Sequence, residues 1–356
     1  MRRPLALGLA LGSLALISAA GASSRLGTHP ALAAQTWNVQ AGADIAGGIV
    51  SGNWYFPNVV TVNVGDTVSW TFPSAEPHGV SFDNGHTPTV FEMGFAPLPN
   101  GEIDVGAPNF PFPPGPNPPT VFDPTQQINL PVSQDPPDQR KPMTLTFNTA
   151  GVFSYDCPIH GPAMPGTIIV QAAGSTLSET PDKEKARGQA DLVAATAAAT
   201  AAASAGGPPI PQPGPVALSN GSTLYPVTAG VQITNGVSAL QFLGGNITVH
   251  QGDTVTFTVA DPSEIHTVTF TSGAPPPDLV DVRPQPAGPP QIVFPAMVAQ
   301  PQGGNSYDGT GFLNSGILFP GSTFTLTINA PPGTYQYRCL LHGGAPQNMT
   351  ATITVQ

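Results

Sequence analysis

A chain of 356 residues is too long for one small sandwich and suits two domains of ordinary size joined by a connector. Its 44 prolines and 40 glycines, against 9% charged residues, describe short strands joined by many turns and exclude an architecture of long helices. With 10 basic residues against 21 acidic ones the chain lacks a phosphate-neutralising surface, so nucleic acid is not an expected partner.

The first element is a secretory leader, expected over residues 1–34. Arg2 and Arg3 precede an apolar run over residues 5–20, and small residues follow. Both Ala20-Gly21-Ala22 and Ala31-Leu32-Ala33 fit a cleavage site. The run is shorter than the roughly 20 apolar residues a membrane span needs, so cleavage rather than anchoring is expected. No later segment is apolar enough to span a bilayer. The mature chain is therefore expected outside the cytoplasm, whether periplasmic, at the cell surface or extracellular, with no membrane span. Losing Arg2, Arg3 and Arg25 with the leader brings its net charge to about −14, which serves solubility or steers a basic partner.

After the leader the chain repeats itself, with one copy expected over 35–172 and the other over 219–356. Thr61-Val62-Asn63-Val64-Gly65-Asp66-Thr67-Val68-Ser69-Trp70 matches Thr248-Val249-His250-Gln251-Gly252-Asp253-Thr254-Val255-Thr256-Phe257. Upstream of these stand the pairs Ala41-Gly42 and Ala229-Gly230. Downstream, His78 and His266 each open a His-x-Val-x-Phe stretch. A Pro-rich excursion follows in each copy, then an alternating strand (Thr144-Leu145-Thr146-Phe147 and Phe324-Thr325-Leu326-Thr327-Ile328), a turn and a cysteine. Phe153 and Tyr155 before Cys157, and Tyr335 and Tyr337 before Cys339, share a strand face with their cysteine because strand side chains alternate. Gly65-Asp66 and Gly252-Asp253 read as turns between strands. Period-two alternation predicts an antiparallel β-sandwich for each copy, hence an all-β protein of two sandwiches.

Between the copies, residues 173–218 read as a connector. Thr180 can cap a helix with Pro181 at its first position, Asp182 and Glu184 suit its positive end, and an Ala-rich run continues to Gly206. Its residues look too small and polar to build a core. The stretch over 206–215 is Pro-rich, stiff and extended.

Two cysteines in an exported chain would normally suggest a disulfide, but their surroundings point to a metal. Cys157-Pro158-Ile159-His160 is followed by Met164, Cys339-Leu340-Leu341-His342 by Met349, and each copy has its upstream His. A thiolate suits Cu(I), imidazoles suit Cu(II), and a His2Cys set with a weak axial thioether serves both states. The candidate ligands are His78, Cys157, His160 and Met164 in the first copy, and His266, Cys339, His342 and Met349 in the second, giving two coppers per chain. The second loop carries three extra residues before its methionine, so Gln347 or a backbone carbonyl competes for the axial place. The aromatics before the cysteines read as core packing, and His86 and His250 as solvated surface groups.

At Pro77-His78-Gly79-Val80-Ser81-Phe82-Asp83 and at Tyr155-Asp156-Cys157-Pro158-Ile159-His160-Gly161-Pro162-Ala163-Met164-Pro165-Gly166 the chain resembles the cupredoxin family, its plastocyanin-like branch in particular. The resemblance covers most of residues 36–172 and 220–356. It implies Greek-key cupredoxin sandwiches, a mononuclear blue copper in each, a Gly79 N–H donated to the thiolate, and electron transfer with redox partner proteins rather than catalysis. Two alternatives stand beside it. A nitrite-reductase-like or laccase-like copper oxidoreductase needs a second copper centre, but no His-x-His occurs and only His86 and His250 remain unassigned after the leader. A copper storage or delivery protein would expose Met-rich or His-rich tracts, and none is present.

Overall fold

The computed structural model describes residues 33–86, 96–105, 119–130, 136–204, 213–234, 236–286 and 291–356. The expected leader, the Pro-rich residues 106–118 and most of the 206–215 stretch lie outside these residues. Residues 33–356 form one compact unit.

The alternating sequence pattern becomes strands with one buried face. In Gly151–Cys157 the inward positions Tyr155 and Cys157 are buried while Val152 and Ser154 face outward, as period-two alternation requires. Each repeat places five strands in a sheet of its own. In the first repeat the order is Val59–Asn63, Gly161–Gln171, Gly151–Cys157, Val80–Phe82 and Ile128–Leu130. In the second it is Ile247–Val249, Thr350–Val355, Gly333–Arg338, Thr269–Phe270 and Leu313–Asn314, which matches the first strand for strand. Behind each sheet lies an aromatic-rich core. Trp37, Trp70, Tyr55, Phe82 and Phe147 fill the first, and Phe257, Phe270 and Tyr337 the second. Burying one such side chain contributes about 2–3 kcal/mol by transfer from water.

The sandwiches are mixed rather than purely antiparallel. Thr36–Ile45 pairs in parallel with Thr67–Thr71, and Thr223–Thr234 pairs in parallel with Thr254–Thr258. The Gly-Asp turns are therefore corners between sheets, because the strands on either side of each turn pair with different neighbours. Asp66 ties its corner to the start of the first strand. It accepts the N–H of Gln35 at 2.8 Å, the N–H of Asn63 at 2.9 Å and the indole N–H of Trp37 at 3.0 Å. Asp253 does the same with the N–H groups of Thr223 and His250, each at 2.7 Å.

The remaining sheets join the repeats. Val50–Phe56 of the first pairs antiparallel with Val237–Leu243 of the second, so one sheet from each sandwich runs into a single 11-stranded sheet. The Pro-rich excursions also meet, since Ile103–Asp104 pairs with Gln291–Phe294. Arg283 clamps this junction with two 2.7 Å bonds to the Glu102 carboxylate, which hold that carboxyl down at about 2. Over the described residues, the excursions thus cover the sandwich edges and bind one another.

The helix Pro181–Ser204 starts as its caps predict, with the Lys183 N–H donating to the Thr180 hydroxyl at 3.4 Å. Contrary to the sequence reading, it does take part in a core. Leu192, Ala195 and the fully buried Ala199 pack with Ile45, Val50, Phe56 and Val237, which come from both repeats. Small residues permit this by letting the helix backbone approach the strands. A Cβ on Gly188 would lie 2.5 Å from Cδ of Pro57, so only glycine fits there.

Candidate metal centres

The eight candidate ligands fall into two buried groups. Cys157 ends its strand facing the core, His78 stands just before Val80–Phe82, and the loop after the cysteine returns His160. The His78 Nδ1 atom lies 4.0 Å from Cys157 Sγ, and the His78 and His160 rings are 4.8 Å apart centre to centre. In the second group Cys339 Sγ is 3.8 Å from His266 Nδ1 and 3.6 Å from His342 Nδ1. Within each group the two histidines and the cysteine present donor atoms within 4.8 Å of one another, the spacing of ligands around a single ion. Met164 and Met349 are fully buried in the same cores as their cysteines.

Backbone N–H groups face both sulfurs. Gly79 donates to Cys157 Sγ at 3.5 Å and Thr267 to Cys339 Sγ at 3.4 Å. Burial alone would raise the Cys339 thiol, but His342 and His266 outweigh it and hold it well below its usual value. Burial and the neighbouring His160 push His78 well below the ordinary imidazole range, toward the neutral form a metal requires. Buried nitrogens His160 Nδ1 and Nε2, His78 Nε2 and His266 Nε2 have no hydrogen-bond partner. The donor set, its burial and the orphaned His160 Nδ1 fit a copper ion in each group.

The longer second loop returns its methionine to the core that holds Cys339. Met349 N–H donates to the His342 carbonyl at 2.8 Å, and Cys339 N–H donates to the Met349 carbonyl at 3.1 Å. The Arg338 guanidinium bonds the Gly343 carbonyl within the same loop. Gln347, the competing axial donor, gives its amide N–H to Glu76 of the first repeat at 2.7 Å. Of the other residues singled out, Tyr155 and Tyr337 are core groups, Phe153 and Tyr335 pack against the core edges, and His86 and His250 are exposed.

Two features escaped the sequence reading. The Ala-Gly pairs had no assigned role. Gly42 and Gly230 adopt φ of +74° and +69° at strand bulges, and a Cβ on either would stand 2.0 Å from Nε2 of His78 or His266. Each glycine is the floor on which an upstream histidine lies. The second feature is a glutamate two residues before each upstream histidine, at Glu76 and Glu264. Comparing the two copies position by position would have exposed it.

These glutamates are buried and cross between the repeats. Glu264 of the second lies 3.5 Å from Nε2 of His160 in the first, and Glu76 of the first lies 3.7 Å from Nε2 of His342 in the second. The other Glu264 oxygen is 3.6 Å from His342 Nε2. Burial would raise the Glu264 carboxyl, but His160, His342 and His266 outweigh it and hold it at about 2. Glu76 is raised, by burial and by the Glu264 charge. On His342, Glu76, the Cys339 thiolate and Glu264 overcome burial and lift the imidazole to about 10.

No family model matches the chain. It is 28% identical over 163 residues to the chloroplastic plastocyanin of Tetradesmus obliquus, a stretch covering 46% of this chain and 86% of that one. Among solved structures it resembles a Cu(I) form of an amicyanin mutant, at 23% identity and a TM-score of 0.22, over 39% of this chain and 86% of that one. It also resembles a mutant fern plastocyanin, at 20% identity and a TM-score of 0.21, over 38% and 99% of the two chains. Among the described residues no helix is long and apolar enough to cross a membrane. An all-β chain that is similar to plastocyanin over most of plastocyanin's length, and that gathers two histidines and a cysteine twice, resembles the cupredoxins.

Proposed function

We propose that the chain is an exported electron carrier with two mononuclear blue-copper centres. His78, Cys157, His160 and Met164 hold one, and His266, Cys339, His342 and Met349 hold the other. Residues 1–34 act as the leader, 35–172 and 219–356 as the two cupredoxin domains, and 173–218 as the linker. The observation that carries this reading is the duplicated His, Cys, His group, with a backbone N–H aimed at the sulfur in both copies. When bound, copper supplies a one-electron couple between Cu(I) and Cu(II).

The protein's own part is to hold the donors still. The cysteine is fixed by its strand, the upstream histidine by the glycine beneath it, and the loop histidine by the opposite repeat's glutamate. A packed core behind them resists rearrangement when the oxidation state changes. For the second centre, Gln347 is engaged by Glu76 while Met349 sits in the core with Cys339, which favours Met349 as the axial donor. His86 and His250, the histidines outside both groups and the leader, are exposed on different repeats, which favours carriage over a second catalytic copper.

Reconstitution with Cu(II) is expected to give an intense blue protein with about two coppers per chain. Cys157→Ser and Cys339→Ser each remove one copper and part of the thiolate band. A band unchanged by both substitutions refutes the assignment, and nitrite reduction or oxygen-dependent phenol oxidation at steady state would transfer the protein to the enzymes.

A further inference from the structure

We infer that the two centres are each other's electron partners, exchanging single electrons within one chain across His160, Glu264 and His342. The inference rests on the blue-copper reading above. His342 turns Nδ1 to its own cysteine, 3.6 Å from Cys339 Sγ, and Nε2 to the interface between the repeats. His160 likewise belongs to the Cys157 group and turns Nε2 to the interface. The two ring edges meet one carboxylate there. Glu264 Oε1 is 3.5 Å from His160 Nε2, and Glu264 Oε2 is 3.6 Å from His342 Nε2.

All the candidate ligands are closed off from solvent. The side chains of His160 and His342 are 1% and 4% exposed, His78 and His266 lie on glycines, and both methionines and both cysteines are buried. Tunnelling falls exponentially with distance and faster through gaps than through bonds. Two imidazoles and a carboxylate with two short gaps therefore form a route from one centre that ends at another redox centre rather than in solvent. The covering is deliberate in its chemistry. Ile159 and Leu340, one and two residues before the loop histidines, pack with Ile103, Ile292 and Phe294 of the paired excursions.

Glu76, Glu264 and His342 could also be read as a third metal site. The carboxylates are already served by amide donors, Asn53 to Glu264 at 2.5 Å and Gln347 to Glu76 at 2.7 Å, so both glutamates have partners without a metal. In the transfer, one copper passes from Cu(I) to Cu(II) as the other passes from Cu(II) to Cu(I). No proton, oxidant or reductant is consumed.

The test is pulse radiolysis of the full chain with both coppers loaded and oxidised, delivering less than one electron per chain. Redistribution is followed where the two bands, assigned from the single Cys→Ser proteins, differ most. The expected result is a phase whose rate is independent of protein concentration, absent from both Cys→Ser proteins and slowed about tenfold or more by Glu264→Gln. A redistribution that appears only in proportion to protein concentration overturns the inference in the unaltered protein, whatever the variant does. So does an unchanged first-order rate in Glu264→Gln with both coppers bound. Failure of the blue-copper reading is separately visible, as missing copper and missing bands before any pulse is given.

Discussion

At the residue scale, the decisive positions include two that hold no chemistry. Gly42 and Gly230 are required because a positive φ and an imidazole 2.0 Å from the Cβ position leave no room for a side chain. Gly42→Ala must push His78 away from Cys157, while His266 and its floor are untouched. The expected outcome is a fall from about two bound coppers to about one, with the second centre's spectrum intact, because a close-packed interior cannot absorb the added methyl group. Copper analysis with visible spectroscopy checks it, and full loading of both centres would show that the glycine is dispensable. The two His, Cys, His groups that the fold gathers were legible from spacing. The glutamates recur in both copies, but their partners were not legible, because only the fold sets each one against the other copy's histidine.

At the element scale, the helix Pro181–Ser204 shows what propensity leaves undecided. Thr180, Pro181 and the acidic first turn announced its start, and the alanines its continuation. Whether an alanine face is solvated or packed depends on how near another backbone can come, which no periodicity encodes. One residue of the helix bears a measurable cost. Glu184 is fully covered, and burial raises its carboxyl to about 7, with Arg187 opposing and Glu179 adding. The folded protein therefore keeps a proton that the unfolded chain loses from its ordinary value of 4.5 upward. Stability contributed by the protonated acid is present at low pH and is lost as pH rises through 4.5 to 7. Glu184→Gln is expected to remove about 1–2 kcal/mol of that decline, measured as the difference between wild type and variant in urea unfolding at pH 5 and pH 8. Equal declines in the two proteins would contradict the assignment.

At the scale of the whole molecule, the repeats are not beads on a string. They share the 11-stranded sheet, the sheet made by the excursions, the helix core and the glutamate bridge. Separating them would expose the edges of Val50–Phe56 and Val237–Leu243 and leave two buried carboxylates facing water. Unfolding is therefore expected as a single cooperative transition, with calorimetric and van't Hoff enthalpies in agreement. Two resolved transitions, one for each copy, would show that the shared elements contribute little.

The sequence by itself determined the all-β class, the duplication and the grouping of two histidines with a cysteine in each copy. All of these follow from local order, meaning alternation along strands, turn residues between them, and ligands closely spaced on one loop. Tertiary structure alone decided that the strands form mixed sheets, that the Pro-rich excursions pair with each other, and that the loop histidines face inward across the interface. Those features depend on contacts between residues far apart in the chain, such as Asn53 with Glu264, 211 positions away, and Glu76 with Gln347, 271 positions away. Pairing over such separations is set by how whole sheets pack, and a one-dimensional pattern holds no record of it.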